Sequence, residues 1–578
     1  MRQRTYYLLG SLEGIASFIW LITIPRNAES SWFLGFSLPR WLMLGPIVLI
    51  TLVFLWNFVI SFRKPGRKSF IEVVADNRKI LVPVVLIIVF ALVYGVIGII
   101  LVNKHNFPDV ISPFFVEPDR EQLLSIISIY KERLSPIIFF IFSLCTQTLL
   151  FLVMPGQDLY KKNEIVDDRF TGKKRPNVKE IISSKPDIVA IILLSIAMAV
   201  FIWLPLQKII ALGGPSDLNE HVRFAEETLQ TRSPTFPHFL LDLLVILIQF
   251  IPGVSFSTSA LLVVAGFFTA LSVLVYFFIR ASLGQVNSVK SSILSLLVSS
   301  CLLIVAPISV FTSFENNLYR GYIGINTYHS PTIIVLRPFA ILVFLHTMKV
   351  FNGQRKTPDG GVITAAGALT ILSILVKPSY SICLLLALAL FVMLRVYKKR
   401  PIDWWLLIFG IGIPSAIVLG WQYYFYFARN IEKNIIFKPF EIYKYFAGDT
   451  SWLVPKFLLS ISFPLCVYII FFQYARRNMR LNISWLAFFI GSFYSYFLVE
   501  SGPEMRAANF WWSAQITLFI LFLVSARFFF RRCMHVFTHA PPKQLVKVSF
   551  ALSIFGLHLI SGVNFYYWHL NLSSLRLP

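Results

Sequence analysis

Two adjacent stretches decide the fold: Ile188–Leu206, IVAIILLSIAMAVFIWLPL, and the loop that follows it, Gly213–Arg223, GGPSDLNEHVR. The first is apolar and long enough to cross about 30 Å of hydrocarbon as a helix. The second is a cluster of ionisable side chains, which is costly at a membrane face unless the groups are solvated or functional. Together they predict a transmembrane helix that delivers a polar loop to one face of the membrane.

The rest of the chain repeats this pattern. Of its 578 residues, 57% are hydrophobic and only 14% are charged, whereas soluble proteins carry about 25% charged residues. Apolar runs of about 20 residues recur from end to end, each long enough for one span. The sequence therefore predicts an all-α polytopic membrane protein with about 15 transmembrane helices and short juxtamembrane helices in its first polar outer loop.

The net charge of +24 indicates topology, because Lys and Arg concentrate in short loops such as 63–79, 161–185 and 398–400. By the positive-inside rule these loops are cytoplasmic. The N-terminus is then cytoplasmic and the C-terminus outside, in what we expect to be a bacterial plasma membrane. No nucleic-acid partner is expected. The five scattered cysteines indicate structural thiols without a disulfide or metal framework.

Three regions are predicted. Residues 1–160 form an N-terminal extension of four membrane helices, 161–186 a charged cytoplasmic linker, and 187–578 a transmembrane module that carries the polar outer loops. Within the module, the apolar piece 239–251 is too short for an ordinary span and suits an interfacial or re-entrant helix. Whether it crosses the membrane is left open by the sequence, as is the oligomeric state.

The first candidate site is the acidic loop. On a helix, Asp217, Glu220 and His221 fall at i, i+3 and i+4 and share a face. A carboxylate there can act as a general base toward a hydroxyl. Carboxylate and imidazole together can also hold a divalent cation, Mg or Mn. The alternative is a solvated loop that starts an amphipathic interfacial helix.

Two further groups lie in later loops on the same predicted face. His238 precedes the short apolar piece and could bind phosphate or be an ordinary interfacial histidine, while Asp242, inside that piece, needs a partner. The polar loop 320–332 contains Arg320, Asn326 and His329, and its glycines allow close backbone approach. These side chains suit a sugar or a phosphate, although an ordered turn would use the same residues.

Basic residues outside the membrane run against the charge bias of the chain. Lys377, in Lys-Pro-Ser-Tyr, and Arg506, after Glu500 and before Asn509, are fixed cations of the kind that binds a phosphate group. Their alternative roles are snorkelling to outer headgroups or pairing with nearby glutamates.

With these residues assembled, the segment from 187 onward resembles the GT-C superfamily of integral membrane glycosyltransferases. The resemblance lies in Asp217-Leu218-Asn219-Glu220-His221, in the short helix after Pro237-His238, and in the loops Asn326–Thr332 and Lys377-Pro378. It implies transfer of a sugar from a polyprenyl-phosphate donor to an unidentified acceptor at the non-cytoplasmic face.

The resemblance also implies roles. Asp217 would be the base, with Glu220 as substitute, and His221 would assist or bind metal. Lys377, Arg506 and Arg320 would hold the lipid phosphate. The chain departs from the family in its Asp-x-Asn-Glu motif, which bears on metal dependence, and in the four spans that precede the module.

Other functions remain open. A transporter or flippase of lipid-linked saccharides would explain the spans and the outer cations, but it predicts charges along a path inside the spans, and these are scarce. An O-antigen polymerase or ligase would carry a large outer loop rich in Arg and His, which residues 428–453 match only weakly. A membrane scaffold would leave the Asp217 cluster unexplained. Nucleotide-binding and zinc-protease motifs are absent from the sequence.

Overall fold

The computed structural model describes residues 180–570 apart from short gaps, and only a few residues before them. The gaps are residues 182, 213–215, 284–288, 310–320, 352–358, 429–433, 448–449, 451–452, 502–504, 506–507 and 540–541. Before residue 180 it describes residues 11, 15, 51 and 52 and one antiparallel hairpin, β1 (Ser30–Phe33) with β2 (Phe36–Pro39). The four spans predicted within 1–160 therefore lie almost wholly outside the described residues.

The described part of the predicted module is helical. Its helices are α1 (Lys185–Leu212), α2 (Asp217–Thr231), α3 (Leu240–Gln249), α4 (Phe256–Arg280), α5 (Val289–Ile304), α6 (Pro331–Lys349), α7 (Gly360–Val376), α8 (Ser379–Tyr397), α9 (Ile413–Tyr423, extended by π-helical turns Leu406–Gly412 and Tyr424–Ala428), α10 (Glu441–Ala447), α11 (Leu453–Ile470), α12 (Phe472–Ala475), α13 (Met479–Phe497), α14 (Trp511–His539) and α15 (Pro542–Leu570). Two short strands, β3 (Ile435–Phe437) and β4 (Leu498–Glu500), pair antiparallel.

Eight helices among the described residues are long and apolar enough to cross a membrane. They are α1, α4, α6, α8, α9 with its π-helical turns, α11, α14 and α15. The helices α3, α5 and α7 are apolar but shorter. The fold is thus that of a multi-pass helical membrane protein, and the predicted total of about 15 spans is not confirmed by the described residues.

A buried ion pair fixes the course of the first four helices. Arg280, the last residue of α4, donates from Nε to Asp187 Oδ1 in the first turn of α1 at 2.8 Å, and both side chains are fully buried. The end of α4 therefore lies beside the start of α1. The chain leaves this end of the bundle along α1 and comes back to it along α4. The intervening α3 has 10 residues, which span about 15 Å, and it does not cross the bundle.

This course brings the ends of several helices to the same end of the bundle. The end of α1 leads into α2 at this end. Lys377, between α7 and α8, contacts the starts of α6 and α14 through Thr332 and Trp512. It also interacts electrostatically with Asp217 of α2 and with Glu500 after α13. We call this the α2 end of the bundle. It is where the polar loops predicted from the sequence meet.

Candidate functional site

The helix α2 begins within the stretch that the sequence predicts as a polar loop. Ser216 is its N-cap, and its Oγ accepts a hydrogen bond from the backbone N–H of Asn219 at 3.1 Å. Serine is a favoured N-cap because its side chain satisfies a free N–H of the first turn. The cap places Asp217 as the first helical residue, with its side chain exposed at the α2 end.

The two residues that follow on this face have different surroundings. His221 Nδ1 lies 2.7 Å from Oδ1 of Asp242, a fully buried carboxylate in the first turn of α3. Glu220 instead turns to solvent, where its Oε2 accepts from Arg223 at 2.7 Å, and Arg223 also bonds Glu227 at 2.6 Å. Asp242 has found the partner that an acid in an apolar segment requires, and Glu220 is part of an exposed ion-pair chain.

Lys377 lies at the break between α7 and α8. Pro378 ends the run of α7 and precedes the first turn of α8, so the Lys377 side chain turns inward and is only 7% exposed. Its Nζ lies 5.1 Å from the centre of the Trp512 ring and 3.5 Å from Oγ1 of Thr332. A cation over an aromatic face is stabilised by the ring quadrupole.

Two carboxylates act on this buried ammonium. Burial lowers the pKa of Lys377 to about 8, and the negative charges of Asp217 and Glu500 oppose that change. Asp217 comes from the start of α2, whereas Glu500 ends β4. The three groups therefore share one electrostatic site, although they are far apart in the chain.

Two histidines complete the cluster. The ring of His329 lies 6.0 Å from the ring of Trp512 and is tilted against it by 57°. Burial lowers the pKa of His329, while the charge of Asp217 acts in the opposite direction. Burial also lowers the pKa of His238 well below its ordinary value, helped by the positive charges of Lys377 and His221. Both rings are therefore neutral near pH 7 in this environment.

Glu500 and Asn509 form the wall of the site beyond Lys377. Glu500 is 8% exposed, and its Oε2 accepts a hydrogen bond from Nδ2 of Asn509 at 2.8 Å. This bond joins β4 to the segment that leads into α14. The carboxylate is thus held in place at a position where it acts on Lys377.

Three residues predicted for the site are not part of this cluster as described. The loop 321–330 folds into the bundle, where Asn326 is fully buried and donates from Nδ2 to the carbonyls of Leu302 and Val305 at 3.0 and 2.8 Å. Asn326 thereby satisfies carbonyl groups at the end of α5, so its role is in the interior of the bundle and not in a polar loop at the surface. Arg320 and Arg506 lie outside the described residues.

Trp512 is a residue of the site that the sequence does not predict. It faces both Lys377 and His329. Its only signal is the Trp-Trp pair that opens α14 just after a polar outer loop, and tryptophan is common at membrane interfaces without any functional role. For Asp242 the sequence predicts only the need for a partner.

An apolar groove lies against α9. It has a volume of about 230 Å³ and is lined by Phe239, Leu375, Ile417, Val418 and Trp421. Phe239 follows His238 directly in the chain, and Leu375 lies two residues before Lys377. The amide of Gln422 donates to the carbonyls of Pro237 and Ile374 at 2.9 and 3.1 Å, which holds α9 against both segments. The groove therefore lies where α9 packs against the segment before α3 and the end of α7.

The predicted divalent cation has few ligands to share. In the part of the chain that the structure describes, no three His, Cys, Asp or Glu side chains gather as a metal site. His221 is bonded to Asp242, and Glu220 is bonded to Arg223.

A scan against protein-family models finds no match, and neither do searches of curated proteins and of solved structures. The class is therefore defined by fold and site alone. The chain is a multi-pass helical membrane protein in which carboxylate, ammonium and imidazole groups gather at one end of the bundle.

Proposed function

We propose that this protein is a membrane glycosyltransferase that moves a sugar from a polyprenyl-phosphate donor to an acceptor hydroxyl at the non-cytoplasmic face. The observation that carries the proposal is the meeting of exposed Asp217 with buried Lys377 at the α2 end of the bundle. One group suits the reacting hydroxyl and sugar, and the other suits the leaving phosphate.

Lys377 is the phosphate group's partner in this proposal. When the bond between the sugar and the phosphate breaks, negative charge grows on the phosphate oxygen. A fixed cation in a poorly solvated position stabilises that charge more strongly than water-exposed lysine would. Trp512 and Thr332 hold the ammonium in place, so no reorganisation is needed at the moment of reaction.

The groove lined by Phe239 and Leu375 supports a lipid-linked donor. Its walls are apolar, and two of its lining residues, Phe239 and Leu375, are one and two positions in the chain from His238 and Lys377. In this proposal the groove receives the isoprenoid chain of the donor, and Lys377 receives its phosphate. A water-soluble nucleotide sugar would have no use for such a groove.

Asp217 and His221 are the two groups that can activate the acceptor. They lie one turn apart on α2. Either can accept the proton of the hydroxyl that attacks the anomeric carbon. The other can then stabilise the positive charge that develops on the sugar. General base catalysis of this kind contributes about 10²–10⁴-fold to rate.

The test uses the full chain reconstituted in liposomes with radiolabelled polyprenyl-phosphate sugars, offered one sugar at a time, with water or glycerol as acceptor. We expect release of the label from at least one lipid donor, and loss of that release in Lys377→Met by at least about 100-fold. The matched control is Lys438→Met, since Lys438 is an exposed lysine paired with Glu441 and should leave the rate unchanged. Absence of turnover and of saturable binding with every lipid donor would overturn the proposal.

A further inference from the structure

We infer that His221 is the group that takes the proton from the acceptor hydroxyl, and that Asp242 is the positioning residue that holds its imidazole. The inference rests on the proposed function and deepens it by dividing the work between Asp217 and His221. It is carried by the bond between His221 and Asp242, which joins α2 to α3.

The burial of Asp242 gives this bond its significance. Asp242 is fully buried in a helix of otherwise apolar residues and a glutamine, LLDLLVILIQ. Its Oδ1 lies 2.7 Å from His221, and its Oδ2 has no hydrogen-bond partner among the described residues. A carboxylate in such a place is costly unless it does work. Leucine or asparagine would pack there at lower cost, so packing alone does not account for the acid.

The bond sets the tautomer of the imidazole. A carboxylate only accepts hydrogen bonds, so Nδ1 of His221 carries the proton and the neutral ring has its lone pair on Nε2. Nε2 lies on the far edge of the ring from Asp242. The ring is 11% exposed and packs edge-on against Phe224 at 5.6 Å. The basic nitrogen is thus held in a fixed direction, away from the buried carboxylate.

Asp217 has a different position from His221. Its side chain is exposed to water, and its charge acts on Lys377 and His329. Among the bonds described for the two groups, His221 is the one held by a buried carboxylate. A fixed negative charge at this position is better suited to the positive charge that develops on the sugar as the bond to phosphate breaks.

The charged surroundings of His221 are few. From neighbouring elements, Asp242 on α3 and His238 on the turn before α3 approach it. On its own helix the ionisable neighbours are Asp217, Glu220 and Arg223, the last two bonded to each other. Among the described residues, α1 and α4 bring no ionisable group to it. Of these groups, Asp242 is the one bonded to the imidazole.

In the proposed step, the acceptor oxygen forms a bond to the anomeric carbon while its proton moves to Nε2 of His221. The bond between the anomeric carbon and the phosphate oxygen breaks, and its electron pair stays on the polyprenyl phosphate beside Lys377. The imidazolium that forms is stabilised by the carboxylate of Asp242, and it returns its proton to water after the products leave.

The first experiment measures the imidazole directly and needs no substrate. Full-length protein in nanodiscs is treated with diethylpyrocarbonate from pH 5 to 8, and modification of His221 is followed by mass spectrometry, since only the neutral ring reacts. In Asp242→Asn, which keeps the shape of the side chain, we expect the midpoint of this profile to fall by about one pH unit or more, because a neighbouring negative charge is lost. An unchanged midpoint would overturn the inference whatever the function proves to be.

The second experiment compares rates with the lipid donor that turns over. We expect Asp242→Asn to lower kcat by at least about tenfold and to move the acid limb of the rate profile to lower pH, while KM for the donor stays within about twofold. Asp242→Glu should restore part of kcat. The matched control is Glu227→Gln, which makes the same carboxylate-to-amide change at an exposed site on α2.

The outcomes separate the two proposals. Suppose that the wild-type protein turns over no lipid donor, but that the His221 profile is shifted in Asp242→Asn. This result would overturn the proposed function and support the pairing of His221 with Asp242. Turnover with the same kcat and the same pH profile in wild type and Asp242→Asn would overturn the role of Asp242. Loss of the acid limb in Asp217→Asn, and not in His221→Gln, would identify Asp217 as the residue that accepts the proton and would overturn the role of His221.

Discussion

Residue-scale chemistry at the α2 end is governed by what each ionisable group is bonded to. Asp217 is exposed and acts on Lys377, Glu220 is bonded to Arg223 at the surface, and His221 is bonded to buried Asp242. Three residues within five positions of one helix therefore have three different environments. Their spacing in the sequence is the same whichever of these environments they occupy.

This difference predicts that loss of the Asp217 charge lowers the rate of sugar transfer much more than loss of the Glu220 charge. Asp217→Asn removes a charge that faces the site and should reduce transfer by at least about 100-fold. Glu220→Gln breaks only an exposed ion pair, which contributes about 0–1 kcal/mol, and transfer should stay within about twofold. Initial rates of sugar release in liposomes measure both, with expression level and protease pattern as folding controls. Full activity of Asp217→Asn would remove Asp217 from the mechanism.

The burial of Lys377 predicts a pH dependence of donor binding. With a pKa of about 8, Lys377 is charged below that pH and neutral above it, so it attracts a phosphate only on the acid side. The phosphodiester of a lipid-linked sugar keeps a constant charge over this range. Donor affinity should therefore be flat below pH 8 and fall as pH rises beyond it, by at most about tenfold per pH unit.

Lys377→Arg is the informative variant for this prediction. Arginine stays charged over the whole range, so donor binding should lose its decline between pH 8 and 9.5. Equilibrium binding of the lipid donor to protein in nanodiscs gives the curve. A decline that persists unchanged in Lys377→Arg would assign the titration to another group.

At the scale of elements, the site depends on how closely α13 and α14 pack. Gly491 of α13 lies against α14, where a Cβ would come within 2.5 Å of Thr517 Oγ1 and 2.6 Å of the Ser513 carbonyl. Since α13 leads to Glu500 and α14 begins beside Trp512, this close contact also sets the wall of the site. A glycine permits an approach that no other residue allows.

Gly491→Ala should therefore destabilise the protein by about 1–3 kcal/mol, the usual cost of overpacking. Gly266→Ala in α4 is the matched control, because a Cβ at Gly266 would meet no atom within 4 Å. The apparent Tm from tryptophan fluorescence in detergent, at one scan rate, compares them. Equal Tm values for the two variants would show that α13 and α14 are less closely packed than described.

For the whole molecule, the outer surface is apolar where helices face away from the bundle. Leu247, Phe250, Met393 and Ile417 are each more than 60% exposed. On a soluble protein such a surface would be an aggregation hazard, whereas in a bilayer it faces lipid tails. Polar side chains are instead buried in the interior or placed at helix ends, as the pair of Asp187 and Arg280 shows.

The direction of the helices predicts the sidedness of the protein. α1 runs toward Asp217, whereas α8 begins next to Lys377 and runs away from it to Lys398. Glu220→Cys and Lys398→Cys, both exposed positions, should therefore react with an impermeant thiol reagent from opposite sides of the membrane. By the charge rule, Glu220→Cys reacts from outside. Reaction of both from one side would contradict the fold.

The sequence alone determined the class and much of the layout. Hydropathy and length, which are local properties, predicted the span 188–206, which lies within α1, and the short apolar piece 239–251 contains the 10-residue helix α3. The polar stretch 213–223 was predicted as a loop, whereas the chain is helical from Asp217 onward. The spans predicted within 1–160 stay predictions, since they lie outside the described residues.

Only the tertiary structure determined which side chains contact one another in the site. Nothing in the spacing of the chain tells that Asp242 bonds His221, that Lys377 is buried against Trp512, or that Asn326 closes α5 inside the bundle. Each of these depends on which helix ends meet, and that is set by packing between segments as much as 135 residues apart, the separation of Lys377 from Trp512. Hydrophobic patterning selects where a helix lies in the bilayer, but burial and hydrogen bonding between helices determine the charge state and direction of each functional group.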